Sequence, residues 1–333
     1  MSNLVPVGAL RFNTETSKLE YFNGTRYVNI TTDSPEQRTG GTRGLFGGGF
    51  TSPSVTNEID FINVDATGNA IDFGDLQQAR RGIAGTASRI RGIFAGGRVP
   101  GDVNSIEFVT IASQGGGADF GDLTITSHYG TGLSNGTRGV ILAMENPSWG
   151  SNNSNRIDFI AIASTGNSQD FGDLYTGTRE TDGCESKTRG VVFGGTPNSI
   201  NVIQFITIAT QGDSADFGDT TVTSQRGSAG GNAVRGLLTL GTTPSVTNAV
   251  DFITIATLGN ALDFGDLTQV RGNATGTSSP TRFVEAGGAT PSLVDTIDYA
   301  QIMTKGDFND FGELVGTDRS QLAGLSNGHG GLG

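Results

Sequence analysis

Six times the chain reads Asp-Phe-Gly, beginning at Asp72, Asp119, Asp170, Asp216, Asp263 and Asp310. One copy of those letters can hold magnesium at a phosphoryl-transfer site, where the carboxylate supplies a hard oxygen ligand. A catalytic constellation needs one copy, whereas a structural repeat needs many. The companions of such a site, an H-R-D-x-x-x-x-N segment and a glycine-rich loop before a strand lysine, do not occur. The motif is therefore expected to serve the fold in every repeat.

Other chemistries fail on residue inventory. One cysteine, Cys184, and two histidines, His128 and His329, can build neither a disulfide nor a Cys/His zinc site. A copper-radical oxidase lacks its ligands for the same reason. Asp boxes of the sialidase kind, G-x-S-x-G, H-E-x-x-H and Walker segments are missing. With 33 Asp and Glu a glycosidase pair survives counting, yet most of these acids recur once per repeat. They could instead pair with the repeated arginines, the Asp60 and Asp75 series against the Arg43 series. Calcium on Asp72 and Asp75 is the alternative, although no run of alternating oxygen ligands accompanies them. The expectation is no enzyme, no cofactor and no metal, with Cys184 a passive residue.

The 21 Lys and Arg against 33 Asp and Glu give a net charge of −12, which repels phosphate backbones and acidic membranes. No window approaches 18 apolar residues, and the start M-S-N-L-V-P-V-G lacks a basic then apolar leader. Neither nucleic-acid binding, membrane insertion nor secretion is expected.

Two more landmarks keep the Asp-Phe-Gly beat. Arginine stands at 43, 91, 138, 189, 235 and 282, and the aromatic of an I-D-F strand at 61, 108, 159, 205, 252 and 299. Within one period, R-G-L-F-G-G-G, E-I-D-F-I-N-V-D, A-I-D-F-G-D-L and I-A-G-T-A-S read as four short antiparallel strands. Between the second and third of these, T-G-N and its equivalents are hairpin tips that require positive φ. Val250 and Phe252 face one side of their strand, Ile253 and Ile255 the other, so each sheet must be covered on both faces. Sheets stacked around an axis meet that need, with the glycine-rich strand at the crowded centre. The chain starts without that small strand and ends with one, so residues 320–326 are expected to pair beside residues 44–48 and close the ring.

Double glycines at 48–49, 96–97, 194–195 and 287–288, an N-x-I-x-F strand, a T-G-N turn and an A-R-R-G pair resemble a degenerate Kelch repeat over residues 42–328. Phenylalanine replaces the usual tryptophan after the turn, and repeats three and five lack the double glycine. The resemblance implies an all-β, six-bladed Kelch-like propeller with repeats beginning near 42, 90, 137, 188, 234 and 281, and leaves function open.

Residues 5–30, V-P-V-G-A-L-R-F-N-T-E-T-S-K-L-E-Y-F-N-G-T-R-Y-V-N-I, read as a small β-meander. Their pattern resembles a module frequent in bacteriophage tail-fibre and other virion proteins. The organisation implied is an N-terminal arm over 1–35, a linker over 36–41, the propeller over 42–328 and a tail over 329–333.

Counted from the glycine-rich strand as the first of each sheet, the connections between second and third strands and between fourth and first strands are expected to share one variable face. The largest departure there is M-E-N-P-S-W-G-S-N-N-S-N-R, with Asn146 and Trp149; Tyr129 and Tyr175 come from neighbouring connections. These four residues are the candidate binding set for a host surface glycan or protein. The expectation is a non-enzymatic virion protein, assembled in the host cytoplasm, that docks on other virion proteins through its arm. Its oligomeric state would be set by the particle. A tail fibre or host-recognition appendage stands first, a capsid decoration or baseplate adaptor second and a glycan-cleaving enzyme third.

Overall fold

The computed structural model describes residues 6–13, 18–29, 41–145, 155–197 and 199–332. They fall into two compact units, Met1–Thr39 and Gly40–Gly333.

The first unit is a three-stranded antiparallel meander of Leu10–Asn13, Lys18–Phe22 and Tyr27–Asn29. Asn23 makes its second turn by accepting from the Thr25 and Arg26 N–H groups through Oδ1, with Gly24 at φ +98°. Arg11 and Glu20 face each other across the strands and pair at 2.8 Å, and the Arg11 guanidinium lies 3.8 Å over the Tyr27 ring. Val7, Leu10, Phe12 and Tyr21 remain exposed.

The second unit is all-β and propeller-like. Sheet 1 runs Ala323–Ser326, Arg43–Gly47, Glu58–Asn63, Ile71–Asp75, every neighbour antiparallel. Its first strand comes from the end of the chain, with Ala323 opposite Gly47 and Ser326 opposite Gly44. Sheets 2 to 6 repeat this order from the first strands Ala84–Ala87, Thr131–Ser134, Asp182–Glu185, Ser228–Gly231 and Thr275–Ser278. These six strands are called inner here, because each packs against the inner strands of its two neighbours. Closeness at that centre dictates small residues. A Cβ on Gly85 would lie 2.6 Å from the Gly324 carbonyl oxygen, and one on Gly132 only 2.4 Å from that of Gly85.

Both faces of each sheet are buried, as the two-sided apolar strands require. Ile253 and Ile255 join a core shared with sheet 4, while Val250 joins one shared with sheet 6. Among the described residues six such cores occur, each lying between consecutive sheets, and the last joins Phe46 and Ile62 of sheet 1 to Val284 and Phe311 of sheet 6.

The three sequence landmarks keep one beat because they touch. In sheet 5 the Arg235 guanidinium sits 4.5 Å over the Phe252 ring, which meets Phe264 of Asp-Phe-Gly edge-on at 6.2 Å. Arg235 Nη1 then donates to the Ile302 carbonyl of sheet 6 at 3.1 Å. Every sheet has this column, and Arg282 of sheet 6 reaches the Val64 carbonyl of sheet 1 at 3.5 Å. The expected pairing of this arginine series with the repeated acids is thus corrected. Among the described residues none of the six makes an ion pair, because ring stacking and a neighbouring carbonyl occupy the guanidinium.

Asp-Phe-Gly is a β-bulge. Opposite the step from Ile59 to Asp60 the partner strand jumps from Gly74 to Asp72, so Phe73 is the extra residue and turns into the core. The bulge glycines lie at φ between +143° and +157°, and a Cβ on Gly265 would meet the Gly306 carbonyl at 2.5 Å. Gly306 is the tip of the next sheet's hairpin and donates its N–H to the Phe264 carbonyl at 3.2 Å. The motif is the seat for the neighbouring turn.

The Asp60 series also has a structural task. Asp251 accepts from the backbone N–H and hydroxyl of Thr221 at 2.8 and 2.9 Å, and so holds the crossover arriving from sheet 4. Asp60, Glu107, Asp158, Gln204 and Asp298 do the equivalent with Val315, Gln77, Thr124, Thr176 and Thr268. In three sheets a buried arginine adds its charge. Arg80 pairs with Glu107 at 3.0 Å, Arg271 with Glu285 and Asp298 at 3.1 Å each, and Arg319 with Asp60. Where Ser127, Thr178 or Ser224 replaces that arginine, hydroxyls and amides bind the acid or its glutamine substitute, and in sheet 3 Arg156 also pairs with Asp158 at 2.9 Å.

Candidate functional site

Each crossover from a fourth strand enters the next inner strand beside that sheet's second-to-third connection. The bridges Phe50 to Ser320, Arg81 to Arg98, His128 to Glu145 and Gly272 to Ala289 join the two, so both kinds of connection do share a face.

On that face six residues, Gly82, Tyr129, Glu180, Arg226, Asn273 and Gln321, hold the same place two positions before an inner strand. All six are left-handed, with φ between +53° and +62°. Five are not glycine, a conformation costing roughly 1–2 kcal/mol for an ordinary residue. The backbone explains it. Gly82 N–H donates to the Gln321 carbonyl, Gln321 to Asn273, Asn273 to Arg226, Arg226 to Glu180, and Tyr129 to Gly82, all at 2.8–2.9 Å. The left-handed turn points five of the six N–H groups at a neighbour's carbonyl, in a run of bonds from Tyr129 through Gly82, Gln321, Asn273 and Arg226 to Glu180. One frame thus carries five different side chains and a glycine, and residues strained this way gather where a surface is used.

Arg226 spans two sheets to Glu180 in a fork, Nε at 2.9 Å and Nη2 at 3.3 Å. The Tyr129 ring lies against Gly82, where a Cβ would meet it at 3.0 Å, and stacks on His128 with centroids 4.4 Å apart. His128 is buried between Asp102 at 3.1 Å and Glu145 at 3.6 Å, and Arg179 approaches Glu145 at 3.3 Å. Burial outweighs Asp102 and holds the imidazole below its ordinary pKa, so it is neutral at pH 7.

Beneath the ring is a cavity of ≈ 110 Å³ lined by the inner strands. Asp182 faces it, accepting from Thr131 Oγ1 at 2.7 Å, Gly183 N–H at 2.8 Å and Ala229 N–H at 3.1 Å. No cation pairs with it among the described residues, and burial pushes its carboxyl up to about 7 against these hydrogen bonds. The opposite end is closed by the tail. His329 contacts Glu185 through Nδ1 and reaches the Ala87 carbonyl at 3.0 Å and Ser134 Oγ at 3.2 Å through Nε2. Burial pulls His329 down, but Glu185 and these bonds prevail and raise its pKa.

Of the four residues singled out from sequence, Tyr129 lies in this ring. Tyr175 is exposed on the crossover leaving sheet 3 and does not line the cavity. Asn146 and Trp149 lie outside the described residues. Sequence reasoning missed Glu180, Arg226, Asn273, Gln321 and Asp182. Their signal was a column at constant distance before the small-residue strand that differs in every repeat. Cys184 is buried against Gly236, its thiol pushed well up by burial. Among the described residues no three His, Cys, Asp or Glu side chains converge as a metal site. No family model matches the chain, and no curated protein matches it.

Proposed function

We propose that the chain is a non-enzymatic bacteriophage virion protein, a closed six-bladed Kelch-like propeller held on the particle by its N-terminal arm and presenting the axial ring for host recognition. The single observation carrying this reading is the frame of Gly82, Tyr129, Glu180, Arg226, Asn273 and Gln321, a fixed backbone with variable side chains. Closure is supported by the inner strand drawn from the C-terminus, by the core between sheets 6 and 1, and by the Arg282 bond to Val64. Docking through the arm is supported by Leu10, Phe12 and Tyr21, apolar groups left exposed on a folded meander. The repeated acids are engaged in crossovers and buried pairs, which argues for a scaffold.

A second reading, a capsid decoration or baseplate adaptor, is favoured by the same exposed apolar face, since a purely structural part needs only that contact. Deleting residues 1–39 tests the anchor. The remainder is expected to fold and stay off the particle, and particles that still incorporate it would remove the arm's role.

A further inference from the structure

We propose that residues 328–332 are a proton-held latch: His329, as an imidazolium paired with Glu185, seats the tail in the axis, and loss of its proton unseats the tail and opens that end of the cavity. The latch lies at the end opposite the left-handed ring and stands whatever that ring binds.

Five sheets build the seat. His329 reaches Ala87 of sheet 2, Ser134 of sheet 3 and Glu185 of sheet 4. Gly330 packs on Asn232, which follows the inner strand of sheet 5, and Gly328 on Ser279, which follows that of sheet 6. A Cβ on Gly330 would overlap the Glu185 carbonyl oxygen and one on Gly331 that of Ser134, so G-H-G-G is fitted to this place. Leu332 is buried, and its carbonyl accepts from Arg89 Nη2.

The partners of the imidazole fix its charge. Ser134 Oγ gives its own proton to the Ala87 carbonyl at 2.5 Å, so the bonds from His329 Nε2 to that carbonyl and to Ser134 Oγ need a proton on Nε2. Nδ1 faces the Glu185 carboxylate, an acceptor, and so carries a proton as well. Burial disfavours this charge and Arg89 repels it, yet Glu185 and the Ala87 bond prevail. Asp182 shares the cavity, Glu180 and Arg226 are paired with each other at its far end, and sheets 5 and 6 bring only Asn232 and Ser279, which do not titrate. Neutral His329 can keep its Ala87 bond and take the Gly331 N–H on Nδ1 at 3.2 Å. It then turns a lone pair toward a carboxylate only 11% exposed, and a buried charge that loses its partner is costly. The latch therefore holds in full below 6.5, the ordinary imidazole value, and is lost as pH rises through the raised one.

The test is hydrogen exchange of the full chain from pH 6 to pH 9, each rate divided by its unstructured rate at the same pH. Protection of residues 328–332 is expected to fall about tenfold or more over this range, while the strand Glu58–Asn63 changes less. His329→Gln should leave the tail weakly protected at every pH, and Asp182→Asn should keep the fall. The latch is overturned if the parent's tail protection is flat with pH, if the fall survives His329→Gln, or if Asp182→Asn abolishes it. A second measurement needs no variant, because the chain has only two histidines. At pH 6.5, where a free imidazole is half charged, nitrogen-15 NMR should find His329 protonated on both nitrogens and His128 mainly on one. A His329 ring that is half charged or neutral there overturns the latch as well.

Discussion

Asp263 and Gly265 show how little of Asp-Phe-Gly concerns an ion. The aspartate side chain is 72% exposed and meets Lys305 at 3.0 Å, while the glycine is pinned under the next sheet's turn at φ +157°. Gly265→Ala is expected to destabilise by roughly 1–3 kcal/mol from its backbone alone. Asp263→Ala should stay within about 0.5 kcal/mol, as surface changes do. Thermal melts decide it, and the reverse order would restore a role for the carboxylate. Burial sets a pH dependence on the same scale. Asp182 and Asp60 titrate at about 7 and about 6 in the folded protein against 3.8 for the free side chain. The folded state therefore keeps protons that the unfolded chain has released, and stability falls as pH rises from about 4 to 7. His329, raised by Glu185, adds to the fall above its ordinary value of 6.5, while His128, lowered by burial, opposes it as pH rises toward 6.5. Melting temperature should be higher at pH 5 than at pH 8, and Asp182→Asn should flatten that difference. Little at this scale was legible beforehand. Tyr129 was seen because it is aromatic, but left-handed backbone at Glu180, Arg226 and Gln321 leaves no mark in residue type, since glycine or asparagine would be the usual sign.

Arg271 bridges two strands of sheet 6, reaching Glu285 and Asp298 at 3.1 Å each and the Thr296 carbonyl at 3.0 Å, with all three charged groups buried. Arg271→Met strands two buried acids and is expected to cost about 3–5 kcal/mol in chemical denaturation. Replacing Arg271, Glu285 and Asp298 together with apolar residues should recover much of that loss, and no recovery would refute the account of the cluster. Strands and hairpins were the legible part. Alternation in V-D-F-I-T-I and the Gly at each turn tip follow from periods and φ requirements that sequence displays directly, and the turn glycines at 68, 115, 166, 212, 259 and 306 all have positive φ. The bulge was hidden, because Phe73 reads as one more alternating residue until its partner strand is seen. Buried Arg80 was hidden too, since A-R-R-G does not say which arginine turns inward, and Arg271 and Arg319 sit in V-R-G and D-R-S with nothing to mark them as buried.

Three belts tie the sheets together: hairpin tips on bulges, arginines on carbonyls, and inner strands beneath the left-handed ring. In each, sheet 6 meets sheet 1 through Gly312 and Gly68, Arg282 and Val64, and Asn273 and Gln321. Ending the chain after Thr317 removes the inner strand of sheet 1, Arg319 and the axial tail together. A broad, early melt is expected, and an unchanged cooperative transition would contradict closure. The pairing of residues 320–326 beside 44–48 was readable because a repeat that lacks its first strand must find it elsewhere. The axial mouth was not, since it exists only once six crossovers converge. The most direct measurement is cryo-EM of particles carrying this protein, with arm and propeller resolved. The account predicts the meander against the particle and the face bearing Tyr129, Arg226 and Gln321 turned outward at a tail appendage. That face buried against another virion protein, or density spread over the capsid shell, would contradict host recognition and leave a structural part.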